Sequence, residues 1–149
     1  MIAQAIYQKP LTLDMICTQG YILSMECQVE YSDEFEQWSE TLNTAAQIDV
    51  AAHVELLEKK GPHLPFPYSS GINQSRHSHM RELRVQHRGR PYRVLYAFDP
   101  RRVAILLLGG DKTGEKAWYR KWVPIADKLF DQHLYEIKNE HNTDRKGHR

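Results

Sequence analysis

Arg84 and Arg93 stand where a tight hairpin would bring them into direct opposition. A two-residue turn at Arg88-Gly89 pairs Leu83 with Val94, Val85 with Tyr92 and Arg84 with Arg93. The first two pairs build an apolar face, which puts both guanidinium groups on the other one. Like charges opposite one another destabilise a sheet, so the pair calls for an anion, and two planar forks suit a phosphate. The competing reading has these arginines bonding acidic residues such as Glu30 or Glu40. The register also depends on Pro91, which would shift the pairing if it lengthened the loop.

A second chemical feature is Gly-Gly-Asp-Lys-Thr-Gly (109–114), directly after the apolar run 103–108. Glycines there would let the backbone approach a ligand closely, and Lys112 would project from the sheet edge into the same cleft. The spacing is not that of a phosphate-binding P-loop, so a nucleoside-triphosphate site is not expected. Tyr119, between Trp118 and Trp122, either returns its hydroxyl to that cleft or joins the core. Cleaving RNA without metal requires cations for the developing phosphorane charge, a proton donor for the 5′-oxygen, and a base for the 2′-hydroxyl. Arg84, Arg93, Lys112 and Tyr119 have the types for the first two. His77 and His79 in Ser-Arg-His-Ser-His (75–79) are candidates for the third, or are surface histidines.

The formal net charge of +1 hides an asymmetry. Residues 1–60 carry 3 Lys/Arg against 10 Asp/Glu, whereas 76–121 carry 12 against 4. A basic half beside an acidic half reads as a polyanion-binding surface or as a solvated face. For RNA contact the candidates are Arg76, His77, His79, Arg81, Arg88 and Arg90. Two cysteines, Cys17 and Cys27, make no disulfide framework or zinc motif, so neither metal nor cofactor is expected. The run 103–108 is too short to span a bilayer and the N-terminus lacks a signal-peptide pattern, which points to a reducing, cytoplasmic location.

The elements expected to position these groups make an α+β domain over 25–141, with an N-terminal appendage at 1–24 and a disordered tail at 142–149. Alternation over 26–31 reads as a strand. Ser32 caps a helix with the stripe Phe35, Trp38 and Leu42, and Thr44 with Gln47 forms a capping box for a second. That helix would bury Ile48, Ala52 and Leu56, flanked by Val50, Val54 and Leu57, and end at Gly61-Pro62. The two form an antiparallel helical hairpin that carries most of the acidic charge. An irregular loop over 63–79 precedes strands at 80–86, 91–98 and 102–108, the last of them the most central. A helical region over 115–139 follows, restarted or kinked at Pro124. Trp118, Trp122, Ile125, Leu129, Phe130, Leu134 and Ile137 form its packing stripe.

Five stretches together resemble the phage-derived Gp49-like branch of the HigB toxins, within the RelE/ParE superfamily. They are Gln-Ser-Arg-His (74–77), Arg-Glu-Leu-Arg-Val (81–85), Pro-Tyr-Arg-Val-Leu-Tyr-Ala-Phe-Asp-Pro-Arg-Arg (91–102), Ala-Ile-Leu-Leu-Leu-Gly-Gly-Asp-Lys-Thr-Gly (104–114) and Ile-Ala-Asp-Lys-Leu (125–129). The resemblance covers 25–134. It implies a RelE-like, microbial-RNase-type fold with an antiparallel sheet, two N-terminal helices and a C-terminal helix. It also implies a type II toxin that cleaves mRNA, typically on the ribosome, and a HigA-like helix-turn-helix antitoxin. By the same resemblance the catalytic positions are Arg84, Arg93, Lys112 and Tyr119, with Arg81 or Arg76 as a further cation. Two other functions share the fold. One is a ParE-like toxin that poisons DNA gyrase without cleaving RNA; the other is an inactive phage-derived protein that binds only RNA or an antitoxin.

Overall fold

The computed structural model describes residues 27–147; the expected appendage at 1–24 lies outside them. Strand β1 (Val29–Tyr31) leads directly into helix α1 (Asp33–Thr41). Ser32 caps that helix by accepting from the Phe35 N–H at 3.1 Å, with Asp33 and Glu34 in the first turn at the positive end of its dipole. The Ser32 hydroxyl also donates to the Leu107 carbonyl, so the cap ties the helix to the sheet. Helix α2 (Thr44–Lys60) is capped by Asn43, which accepts from the Ala46 N–H at 2.8 Å. The capping box expected from Thr44 and Gln47 does not form, because Gln47 instead donates to the Ser39 carbonyl of α1 at 2.7 Å. The buried face of α2 is Ala46, Gln47, Val50, Val54 and Leu57, while Ile48 is 59% exposed. The expected line of Ile48, Ala52 and Leu56 is therefore one step out of phase. Apolar residues stand on more than one side of this helix, so periodicity alone does not choose which side turns inward.

A 3-10 turn at Gly61–His63 and strand β2 (Ser69–Gly71) occupy part of the segment expected to be irregular. Strands β3 (Arg81–His87), β4 (Arg90–Phe98) and β5 (Ala104–Asp111) complete a five-stranded sheet in the order β1-β5-β4-β3-β2. The β3–β4 register matches the expectation: Leu83 faces Val94, Arg84 faces Arg93 and Val85 faces Tyr92. Positive φ at Arg88 (48°) and Gly89 (78°) lets two residues close the turn, so Pro91 falls inside β4 opposite Gln86. Two expectations are corrected. The sheet is mixed, since β1 lies parallel to β5, and the middle strand is β4. Strand β5 is apolar on both sides because it has a neighbour at each edge and helices over both faces.

One face of the sheet (Leu83, Val85, Val94, Tyr96, Leu106) packs under α1 and α2 around Phe35, Val50 and Leu57. The other (Leu95, Ala97, Ile105, Leu107, Leu108) packs under helix α3 (Trp118–Lys146) through Trp118, Val123, Ala126 and Phe130. This helix runs unbroken through Pro124, whose missing N–H deprives only the exposed, solvated turn at Arg120 of a bond. Ile125 lies outward at 39% exposure, with Val123 and Ala126 inward in its place. The helix also continues past the expected tail boundary to Lys146, where the Gly147 N–H closes on the Thr143 carbonyl at 3.1 Å. Its last turns are exposed.

A register shift between Leu95 and Tyr96 leaves Leu107 without a cross-strand partner, so Leu107 and Leu108 both face α3. Beyond it Gly109 faces Trp38 and Gly110 faces Trp118. A Cβ on Gly109 would lie 2.2 Å from the Trp38 ring. The glycines therefore admit two indoles from opposite sides, not the ligand expected from their position. Gly109→Ala is expected to cost about 1–3 kcal/mol through overpacking and to lower the melting temperature by calorimetry. Adding Trp38→Leu should recover part of that loss, because the two substitutions share one contact.

Candidate functional site

Arg84 and Arg93 do face each other, and the anion that joins them comes from the same strand as Arg84. Glu82, its side chain 4% exposed, lies two residues before Arg84 and hence on the same face. Its Oε1 accepts from Arg84 Nη1 at 3.0 Å and from the Ser70 hydroxyl at 2.8 Å. Its Oε2 accepts from the Tyr119 hydroxyl at 2.7 Å and lies 3.7 Å from Arg93 Nε. Arg93 is itself buried; its Nη1 donates to the Tyr92 carbonyl at 2.9 Å, and among the described residues its Nε has no hydrogen-bond partner. Neither Glu30 nor Glu40 plays the bridging part; Glu30 bonds Arg101 at 2.9 Å.

Lys112 completes the group, its Nζ 4.7 Å from the centre of the Tyr119 ring. The backbone places it there, since the Lys112 N–H donates to the Pro91 carbonyl at 3.0 Å. Burial raises the Tyr119 phenol pKa, as does its bond to the Glu82 carboxylate, while Arg93 pulls weakly the other way. Tyr119 thus keeps its proton and donates it. Two guanidinium groups flank one carboxylate and the Lys112 ammonium lies over the Tyr119 ring, which leaves a positive excess beside a protonated phenol. Tyr119 also forms one wall of a cavity of about 360 Å³ lined by Gln74, Lys116, Arg120 and Pro124.

Other candidates lie elsewhere. Arg76 and His77 bond Asp131 of α3, His77 Nε2 at 2.8 Å, and the Ser75 hydroxyl and the Arg76 N–H both bond Asp127. These contacts pin the loop before β3 onto the helix, and Arg76 and His77 hold the Asp131 carboxyl below the usual carboxylate range. His79 is exposed, its ring 5.6 Å from Phe130. Phe130 lies about 16 Å along the helix from Tyr119 at ~1.5 Å per residue, so neither histidine joins the cluster. Arg81 belongs to the opposite face, where its Nε donates to Ser69, which bonds the buried Tyr96 hydroxyl at 2.6 Å. Arg88 is exposed at the hairpin tip, and Arg90 pairs with Asp111 at 3.3 Å. Among the described residues no group of three or more His, Cys, Asp or Glu could hold a metal, and no helix is long and apolar enough to cross a membrane.

A sequence model of the family described as phage-derived protein Gp49-like matches residues 37–131, which takes in the second half of α1, all of α2, the sheet from β2 to β5 and the buried part of α3. The chain belongs to this family. Two Mycobacterium tuberculosis (strain H37Rv) relatives support the assignment. The Gp49-like chain is 46% identical over 102 residues to a protein designated toxin HigB3, covering 68% of this chain and 88% of the relative. It is 37% identical over 109 residues to one designated toxin HigB2, covering 72% of this chain and 54% of the relative, about half its length. Among solved structures, a substituted Escherichia coli toxin RelE in the free state is similar at a TM-score of 0.47, with 8% identity over 63% of this chain and 92% of that one.

Within the Gp49-like domain, the residue that sequence reasoning passed over is Glu82. Its signal was present: Arg-Glu-Leu-Arg alternates, so a carboxylate two positions from Arg84 had to share its face. Lys116, in the turn before α3, and Arg120, next to Tyr119 on it, were also missed, since the start and phase of that helix were unknown.

Proposed function

We propose that this Gp49-like protein is a toxin that cleaves mRNA, with the Arg84–Glu82–Arg93 cluster and Tyr119 as its reaction centre. The observation that carries the reading is the cationic cluster around a protonated phenol. Arg84, Arg93 and Lys112 supply positive charge where a phosphorane would develop it. The Tyr119 hydroxyl gives its proton to the departing 5′-oxygen. Glu82 holds the two guanidinium groups and the phenol in mutual register. Neither His77 nor His79 is placed to take the 2′-hydroxyl proton, because their rings rest on Phe130, so that proton passes to solvent water as the 2′-oxygen bonds phosphorus and the bond to the 5′-oxygen breaks. Arg88, Arg90, Lys116 and Arg120 extend the basic surface along which the strand is guided. The names of the HigB relatives support the toxin reading, and a toxin of this kind requires an antitoxin in the same cell. We place that partner as a HigA-like helix-turn-helix protein, the substrate as mRNA on the ribosome, and the toxin in the cytoplasm.

Expression without a partner should halt growth and leave translated transcripts with new 5′ ends. Tyr119→Phe should restore growth while the protein stays folded. Growth arrest with intact transcripts would sink the ribonuclease reading, and arrest accompanied by DNA damage signalling would favour gyrase poisoning instead.

A further inference from the structure

Phe66 is the most exposed large apolar side chain among the described residues, at 69%. It is not loose. The Tyr68 and Ser69 N–H groups both donate to the Pro65 carbonyl, at 3.0 and 3.1 Å, and close a turn around Phe66-Pro67. The Arg84 N–H then donates to the Tyr68 carbonyl at 2.8 Å, which fastens that turn to β3. The ring itself has the Arg84 guanidinium 5.2 Å from its centre. The same guanidinium bonds Glu82, which bonds Tyr119, so one unbroken set of contacts joins the exposed ring to the cluster.

A fixed, water-exposed aromatic ring beside cations is the pairing that single-stranded nucleic acids use. Cations follow the phosphates, while bases stack on rings in a sequence-tolerant way. An isolated exposed phenylalanine needs no explanation; one held by a turn and capped by a cluster arginine is set up for a flat partner. We propose that Phe66 is a stacking platform for a nucleobase of the RNA strand whose phosphate is held at Arg84 and Arg93. This rests on the ribonuclease reading and adds a base subsite to it.

The test uses the full chain and a short single-stranded RNA, 2′-O-methylated so that it cannot be cut. The same RNA is offered free and loaded on ribosomes. Phe66→Ala and Phe66→Leu should each weaken binding about tenfold, the loss typical of one stacked base. Phe66→Trp should retain affinity, and its added emission should be quenched on binding. Abasic nucleotides placed one position at a time should reveal a single site that costs the native protein about tenfold and Phe66→Ala nothing. Equal affinities for the native and Ala forms, or no such coupled position, would overturn the proposal while leaving the ribonuclease reading intact. So would a Phe66→Ala protein that keeps RNA affinity and loses only antitoxin binding, because the ring would then belong to a protein interface. Failure of the native protein to hold RNA in either form would remove both.

Discussion

Glu82→Ala is expected to lower the stability of the fold by about 3–5 kcal/mol, the usual loss when one member of a buried ion pair is removed. The carboxylate is 4% exposed, and it is the one group that lets Arg84 and Arg93 face each other across adjacent strands. Without it the buried Arg93 loses the only countercharge beside it among the described residues, and the Ser70 and Tyr119 hydroxyls lose their acceptor. Urea titration followed by tryptophan fluorescence measures the loss directly. A second substitution separates charge from packing. Arg93→Met in the Glu82→Ala background should regain part of the stability, since it removes the uncompensated cation. If Glu82→Ala cost less than about 1 kcal/mol, the carboxylate would be a bystander.

The second large effect concerns rate. Arg93→Ala should slow transcript cleavage by about 10²–10³-fold, the range for removing one preorganised group from a developing charge. Arg93→Lys should fall between, because it keeps the charge and loses the fork. Arg93→Ala also leaves Glu82 partly unpaired, so its melting curve must accompany the rates. Tyr119→Phe guards against confusing folding with chemistry. It removes one hydroxyl, costs about 1 kcal/mol of stability, and should still reduce cleavage about 10²-fold. Lys138→Ala, on the exposed distal part of α3, should leave cleavage unchanged. Undiminished cleavage by both Arg93→Ala and Tyr119→Phe in folded protein would place the chemistry elsewhere.

What could be read in advance followed locality. The β3–β4 hairpin was legible because Arg88-Gly89 demands a two-residue turn and alternation on either side sets the faces. That register brought Arg84 to Arg93 before any fold was known. Tyr119 and Lys112 were harder, since their meeting depends on where α3 lands, and a helix after a glycine-rich turn can land in several ways. Strand β2 was invisible, because Ser-Ser-Gly has no pattern and is held by pairing with Arg81, Glu82 and Leu83. The parallel pairing of β1 with β5 joins residues 75 positions apart, beyond what any window can see. Ile48 was turned the wrong way because Ala46, Val50, Val54 and Leu57 offer a second apolar side to the same helix, and only the sheet beneath decides between them.

The unpaired Leu107 gives β5 two alternation frames in series. Up to Leu106 the odd and even positions serve the packed interior; from Leu108 onward the parity is reversed. The reversal is what seats Gly109 under one indole and Gly110 under the other, and carries the chain on to Lys112. The inner frame can therefore drift in sequence as any core strand does, provided volume is kept. The outer frame is locked to the cluster, and a single inserted or deleted residue there would exchange its two sides.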